Sequence, residues 1–219
     1  MSSLLISLRV ALAALVVVVP LGVAIGWWLA RGRDSWRRSL VDSLVVLPMV
    51  LPPSVTGFYL LTLFGRRGPV GALLERLFGV RLVFTSAGAA LAAGVVALPL
   101  MAKGAEAAFS RVDRDLEEIA RVHGLSPWQV FRAVTLPLAR SGIAVAATLA
   151  TLRALGEFGA TLVFAGYVPD ETSTAPLEIF MALQAGEDHR ATSLVLALSA
   201  LSVATTLSLA WWNRRGRAS

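Results

Sequence analysis

Few side chains in this sequence of 219 residues could carry out chemistry of their own. The chain has no cysteine, which excludes thiolate nucleophiles, cysteine metal ligands and disulfide bonds. The two histidines, His123 and His189, lie far apart and in no nucleophile motif, so we expect His123 to pack on a helix rather than exchange protons. No G-x-x-x-x-G-K-S/T motif surrounds Lys103, the single lysine. The chain is therefore not a P-loop ATPase, and we expect it to hold no cofactor and no metal.

Arg153 and Glu157 are the only charged residues within a long apolar stretch, 141–169. Four residues apart on a helix, they could form an ion pair that lowers the cost of placing charge in a bilayer. They could equally belong, together with Phe158, to a transport pathway, a gate or a dimer interface. Both interpretations stay open at the level of the sequence.

The elements that position these residues are apolar helices. Hydrophobic residues make up 56% of the chain and charged residues only 16%, which is typical of a membrane protein. A helix needs about 20 residues to cross the hydrocarbon core. We therefore predict an all-α integral membrane fold, one domain over residues 1–219 with a cytoplasmic loop at 104–138. The five predicted membrane spans are 10–30, 43–64, 82–102, 141–168 and 191–213.

The net charge of +6 is interpreted as arginines that flank membrane spans, not as a nucleic-acid-binding surface. Segments 31–42, 103–140 and 214–219 together hold thirteen Lys and Arg residues, against six on the opposite side. The positive-inside rule then predicts an outer N-terminus and a cytoplasmic C-terminus. Four outer arginines oppose the trend, and Arg66 and Arg67 could form a vestibule that concentrates an anion. Docking of a binding protein, or simple tolerance of a short loop, would also explain them.

The second span contains Pro48, Pro52 and Pro53, which must interrupt its helix. Backbone groups freed in a membrane are tolerated only where protein or a water-filled cavity covers them. These prolines therefore indicate either a structural kink or a bend that lines a pathway. A short helix is also predicted at 175–185 within the acidic outer segment, as an interfacial or re-entrant element.

Two short helices are predicted between the third and fourth spans. The first covers 113–123, with Asp113 as N-cap and an apolar face, and Gly124 ends it. Ser126 to Gln129 form a capping box that starts the second helix. Pro137 is expected to end that helix or to bend it into the fourth span. The result would be a helix–glycine–helix elbow under the membrane.

The elbow resembles the EAA loop of bacterial ABC-importer permeases. The pattern E-A-A, three residues, G, nine residues, I-x-L-P corresponds to Glu118, Ala120, Gly124, Leu136 and Pro137, with isoleucine and valine at two apolar positions. The resemblance implies a type I importer permease fold, in which this loop docks into a cytoplasmic ATPase dimer that holds ATP and Mg. The residues expected to couple to the ATPase are Glu118, Ala120, Gly124, Leu125, Trp128, Leu136 and Pro137.

Three further segments resemble the molybdate permease subgroup: L-P-M-V-L-P-P at 47–53, G-R-R-G at 65–68 and L-G-E-F-G-A-T at 155–161. The resemblance implies a homodimer in the bacterial inner membrane, served by an extracytoplasmic molybdate-binding protein. Sulfate/thiosulfate and tungstate permeases remain alternatives within the class. A stand-alone secondary transporter and a membrane scaffold without transport activity are alternatives outside it.

Overall fold

A computed structural model describes residues 2–32 and 34–215, and every regular element in them is helical. The predicted all-α fold with long apolar helices is confirmed. The helices are α1 (Ser2–Arg31), α2 (Trp36–Val50), α3 (Pro53–Phe64), α4 (Pro69–Phe78), α5 (Ser86–Ser110), α6 (Arg114–Val122), α7 (Pro127–Val130), α8 (Leu136–Leu155), α9 (Gly159–Phe164), α10 (Ala175–Gln184) and α11 (Asp188–Arg215), with a π turn (Phe131–Thr135) between α7 and α8.

Helices α1, α5 and α8 form the core of the bundle, and small residues bring them close together. A Cβ atom placed on Gly26 of α1 would lie 2.6 Å from the Ala102 carbonyl oxygen of α5. On the other side of α5, a Cβ on Gly142 of α8 would lie 2.6 Å from Ala108 Cβ. Backbones that approach this closely gain van der Waals contact, which drives helix association where no hydrophobic effect operates.

The predicted third span needs a correction at both ends. Thr85 caps α5 through a hydrogen bond from Gly88 N–H at 3.1 Å, so the helix begins at Ser86 and not at residue 82. It continues to Ser110, past Pro99 and through the alanine-rich residues that follow it, which favour a helix. Residues 104–110, assigned to the cytoplasmic loop from sequence, therefore belong to α5.

The second span is broken, as its prolines predict. Helix α2 ends at Val50, α3 begins at Pro53, and their axes differ by 116°. Only Pro52 and Pro53 coincide with the break, whereas Pro48 lies inside α2. The expectation that all three prolines interrupt the helix was wrong for Pro48.

The two halves of this broken span advance along α5 in the same direction. Asp42 of α2 accepts a hydrogen bond from Lys103 of α5, Pro53 at the start of α3 shares a cavity with Leu100, and Leu60 of α3 lies in one cluster with Ala92, nearer the start of α5. We therefore count α2 and α3 as one crossing. With this pair, the described residues contain five candidate membrane crossings.

The fourth span was predicted wrongly, since its helix is displaced toward the N-terminus. A continuous helical segment runs from Pro127 through the π turn to Leu155, and α9 is a separate short helix. Pro137 neither ends nor strongly bends this segment. Leu136 N–H bonds to Phe131 O, five residues back. The π turn thereby accommodates Pro137, which has no N–H to donate. The long helix stops at Gly156 instead.

The short helix predicted at 175–185 is confirmed as α10, Ala175–Gln184. It packs inside the protein, because Leu177 is fully buried and Ala175 N–H donates to Ser7 Oγ of α1 at 2.7 Å. Helix α11 is the opposite case. Among its described side chains only Ala191 is buried, which leaves α11 to contact lipid or another chain.

Candidate functional site

The elbow has the helix caps and the glycine turn that its sequence predicts, although its second helix continues into α8. Asp113 caps α6 by accepting Asp115 N–H at 3.0 Å, and Gly124 ends it with φ at +88°, a conformation that favours glycine. Ser126 N–H then donates to Gln129 Oε1 at 2.8 Å, and Gln129 N–H to Ser126 Oγ at 3.4 Å. This capping box starts α7, so two capped helices meet at one glycine.

A buried carboxylate ties the elbow to the bundle. Glu117 Oε1 accepts hydrogen bonds from Arg31 Nη2 of α1 at 2.8 Å and from Thr135 Oγ1 of the π turn at 2.6 Å. Sequence reasoning missed this residue and selected its neighbour Glu118, which is exposed. The one sequence feature that could have indicated Glu117 is Arg121, four residues later, which is spaced to form an ion pair with it on a helix. No spacing rule could have indicated Arg31, which lies 86 positions away.

A stack of aromatic rings makes a second attachment. Trp128 stacks on Phe131 with ring centroids 5.5 Å apart, and Phe131 meets the edge of Trp27 of α1 at 5.3 Å. Phe131 also contacts Phe109 at the end of α5. The rings thus connect α7 and the π turn to the ends of α1 and α5.

The outer surface of the elbow carries several exposed apolar side chains among its charged ones. Val122 is 85% exposed and Trp128 66% exposed, and Leu116 and Ile119 are also exposed. We call these four side chains the elbow surface. His123 is exposed too, with Nδ1 2.8 Å from the Ile119 carbonyl oxygen, so the expectation that it packs on the elbow was wrong. Large apolar side chains grouped on a short projecting segment indicate contact with a partner.

The residues predicted to couple to the ATPase divide into two groups. Ala120, Leu125 and Leu136 are half-buried and support the elbow, and Leu136 and Pro137 begin α8 rather than belonging to the elbow itself. The exposed members, which are available to a partner, are Glu118, Gly124, Trp128 and Pro137.

Arg153 and Glu157 form the predicted ion pair, with Arg153 Nη1 2.7 Å from Glu157 Oε2. They do not share a helix, however, because α8 ends at Leu155. Glu157 Oε1 instead accepts Ala160 N–H at 2.7 Å and so caps α9. The pair therefore joins the end of one helix to the start of the next.

The predicted pathway residues are only partly brought together. Pro48, Pro53 and Arg153 line one cavity beside the break between α2 and α3. Pro52 lies at the break but does not line the cavity, and Phe158 packs on Phe180 of α10 with centroids 5.1 Å apart.

The outer arginines are partly neutralised by one glutamate of α4. Glu75 lies 2.7 Å from Arg81 and 3.7 Å from Arg66. Arg67 is exposed and has no acidic partner within the described residues. The vestibule predicted from Arg66 and Arg67 is thus less cationic than their sequence indicates.

The acidic segment after α9 is folded onto itself. Tyr167 Oη donates to Glu178 Oε2 at 2.8 Å, and Glu178 also pairs with Arg190. The pKa of the Tyr167 hydroxyl is raised above its usual value, mainly by the hydrogen bond to Glu178 and to a lesser extent by burial. Tyr167 therefore stays a hydrogen-bond donor, and Glu178 serves the internal structure of this end.

The fold defines the class of protein. It matches a solved bacterial alginate ABC transporter in complex with its periplasmic protein, with a TM-score of 0.77 and 19% identity over 98% of this chain and 78% of that one. It also matches the MetNI methionine ABC transporter in an inward-facing conformation, with a TM-score of 0.71 and 18% identity over 98% and 93%. The chain has the type I ABC-importer permease fold.

The sequence then defines the family. Residues 22–217 match the binding-protein-dependent transport system inner membrane component, and the chain belongs to this family. The molybdenum transport system permease protein ModB of Escherichia coli is 39% identical over 98% of this chain and 94% of its own length. A putative molybdenum transport permease of Bacillus subtilis, YvgM, is 38% identical over 90% and 86%. A probable sulfate transport permease of Chlorella vulgaris, cysT, is 34% identical over 95% and 77%.

These findings make the chain the membrane permease of a binding-protein-dependent importer. The family is one of transport subunits, which agrees with the missing P-loop and with the prediction that the chain is not itself an enzyme.

Proposed function

We propose that this permease moves molybdate into the cytoplasm, driven by ATP hydrolysis on a separate subunit. The observation that carries the proposal is full-length similarity to several molybdenum transport permeases, combined with the three segments at 47–53, 65–68 and 155–161. Sulfate is the second candidate, because a sulfate transport relative also aligns over nearly the whole chain. Tungstate has the same shape and charge as molybdate and would be accepted by the same pathway.

The ATPase would dock on the elbow surface. Apolar side chains that project from a short, capped helix pair fit a cleft on another protein better than they fit water. Glu117 and the aromatic stack then transmit the movement of that partner to α1 and α8. ATP and Mg would be bound by the ATPase subunits, which favour one of two membrane conformations as they close and open.

A second copy of this chain would complete the pathway. Five crossings enclose a channel poorly, whereas two subunits related by a two-fold axis can surround one. The exposed faces of α11 and of the broken α2–α3 span are available for lipid and for this partner.

The elbow would face the cytoplasm, with the N-terminus outside. The absence of native cysteines allows a direct test with single-cysteine variants and a membrane-impermeant thiol reagent. Asp34→Cys, at the same end as the elbow but outside the elbow surface, should react only after the cells are permeabilised, whereas Val80→Cys at the opposite end should react in intact cells. The reverse result would overturn this orientation.

Reconstitution tests the substrate. The permease, its ATPase and its binding protein would be combined in proteoliposomes, and ATP hydrolysis measured with the binding protein loaded with molybdate, tungstate or sulfate. Stimulation by molybdate and tungstate, with little by sulfate, supports the proposal. Stimulation by sulfate alone would identify a sulfate permease. Stimulation by none of the three anions would refute an oxyanion substrate.

A further inference from the structure

Two interrupted helices meet at one level of the bundle. One break separates α2 from α3 at residues 51–52, and the other separates α8 from α9 at residues 156–158. A Cβ atom on Gly159 would lie 2.9 Å from Pro53 Cβ, so the two breaks are in contact. Unpaired backbone at such a depth requires cover by protein or by a water-filled cavity.

A cavity of about 120 Å³ lies beside these breaks. A water molecule takes about 30 Å³ in the liquid, so the cavity has room for a small ion. Val96 and Leu100 place it near the middle of α5. Of the described residues that line it, Arg153 alone is charged; the others are Pro48, Met49, Leu51, Pro53, Val96 and Leu100.

The two members of the Arg153–Glu157 pair face different surroundings. The Glu157 side chain is 1% exposed and its Oε1 is occupied by Ala160 N–H, while the Arg153 side chain is 30% exposed. Glu157 is thus held behind the guanidinium, which has further N–H groups and no second carboxylate within the described residues. An ion entering the cavity would therefore meet the positive member of the pair first.

We propose that Arg153 is the cation that contacts the oxyanion during its passage, and that Glu157 is its counter-ion between passages. A guanidinium presents paired N–H donors that match two oxygens of a tetrahedral anion. A conformational change that opens the cavity would expose Arg153 to the anion without moving Glu157 from its cap on α9. The proposal rests on the proposed function for the identity of the anion, but the position of the site is independent of it.

A cysteine in the cavity measures its local potential. Leu100→Cys would be introduced into this cysteine-free chain within the complete transporter, with Met49→Cys as a second probe. Its rate of modification would be compared between a sulfonate-bearing and a trimethylammonium-bearing methanethiosulfonate reagent of similar size. A cation beside the probe should favour the anionic reagent by about tenfold or more, as charged clefts raise local counter-ion concentration.

Variants of Arg153 and Glu157 test whether this ion pair causes the preference for the anionic reagent. Arg153→Gln should abolish it, while Glu157→Gln, whose amide oxygen can still accept Ala160 N–H, should increase it. Added molybdate or sulfate should slow modification in the wild-type background and leave Arg153→Gln unaffected. Failure of both probes to react, or a preference unchanged by Arg153→Gln, would overturn the proposal.

The result separates this proposal from the proposed function. If sulfate protects the probe and molybdate does not, the Arg153 site stands while the substrate assignment fails. If Arg153→Gln retains wild-type rates of molybdate uptake and an unchanged concentration for half-maximal uptake, the site fails while the substrate assignment stands.

Discussion

Glu117 Oε1 and Thr135 Oγ1 lie 2.6 Å apart, and the same carboxylate oxygen accepts a hydrogen bond from Arg31 at 2.8 Å. One buried atom thus joins α6, the π turn and the end of α1. The elbow cannot tilt against the membrane helices without breaking a charged contact that is shielded from water. We therefore expect the elbow to move together with the membrane helices.

Removal of the Glu117 carboxylate should weaken the attachment of the elbow to the membrane helices. Glu117→Ala leaves Arg31 without its acidic partner in a poorly solvated site, and breaking one side of such a pair costs about 3–5 kcal/mol. We expect a lower thermal unfolding temperature for the purified permease and reduced coupling of ATP hydrolysis to transport.

Glu118→Ala is the matched control for stability. Its side chain is exposed, and exposed substitutions usually change stability by less than about 0.5 kcal/mol. Equal unfolding temperatures for Glu117→Ala and the wild type would contradict the anchoring role of Glu117.

Gly124→Val should distort the elbow by strain alone. A Cβ atom at Gly124 would meet nothing within 4 Å, but its φ of +88° is unfavourable for valine by about 1–3 kcal/mol. We expect ATP hydrolysis to lose its dependence on loaded binding protein.

Gly79→Val provides the same kind of strain elsewhere. Gly79 has φ at +65° and also meets nothing within 4 Å, but it lies after α4 at the opposite end of the bundle. Coupling should survive in Gly79→Val. If both variants lost coupling equally, the effect would be general destabilisation and the special role of Gly124 would be refuted.

Val122→Asp should prevent the ATPase from docking. A carboxylate placed on the elbow surface would lose its water on contact with the partner, which costs several kcal/mol for an unpaired charge. The permease should keep its unfolding temperature and fail to co-purify with the ATPase. Val80→Asp, at an exposed apolar position on the opposite end, should co-purify normally. Wild-type recovery of the ATPase with Val122→Asp would exclude this surface as the docking site.

Gly26→Leu should separate α1 from α5. The new side chain would collide with Ala102 and Ala105, and overpacking of this kind costs about 1–3 kcal/mol, occasionally more. Thermal unfolding in detergent measures the effect. Val17→Leu, an enlargement at an exposed position on the same helix, should leave the unfolding temperature unchanged. Indistinguishable curves for the two variants would mean that the α1–α5 contact is not close.

Local rules were sufficient for the elbow and for the existence of the helices. Asp113, Gly124 and Ser126 act through hydrogen bonds and backbone angles within a few residues, so their spacing fixes the structure. The same holds for the break at Pro52 and Pro53, whose missing N–H groups no tertiary contact can restore.

Long-range contacts were beyond the sequence. Nothing near Glu117 indicates Arg31 as its partner, and hydropathy alone gave no reason to end α8 at Leu155, because the apolar stretch continues through α9. The prediction that Pro137 ends or bends its helix failed for a related reason. The π turn that accommodates it depends on Phe131 and Thr135, which are held by α1 and Glu117.

ATP-dependent uptake would show whether this permease imports molybdate with the help of a separate ATPase. Proteoliposomes containing the permease and its ATPase would receive radiolabelled molybdate and binding protein on the outer side, with ATP enclosed. We predict that molybdate accumulates inside only when ATP, the ATPase and the binding protein are all present. Accumulation by the permease alone would identify a stand-alone carrier and would refute import driven by a partner ATPase.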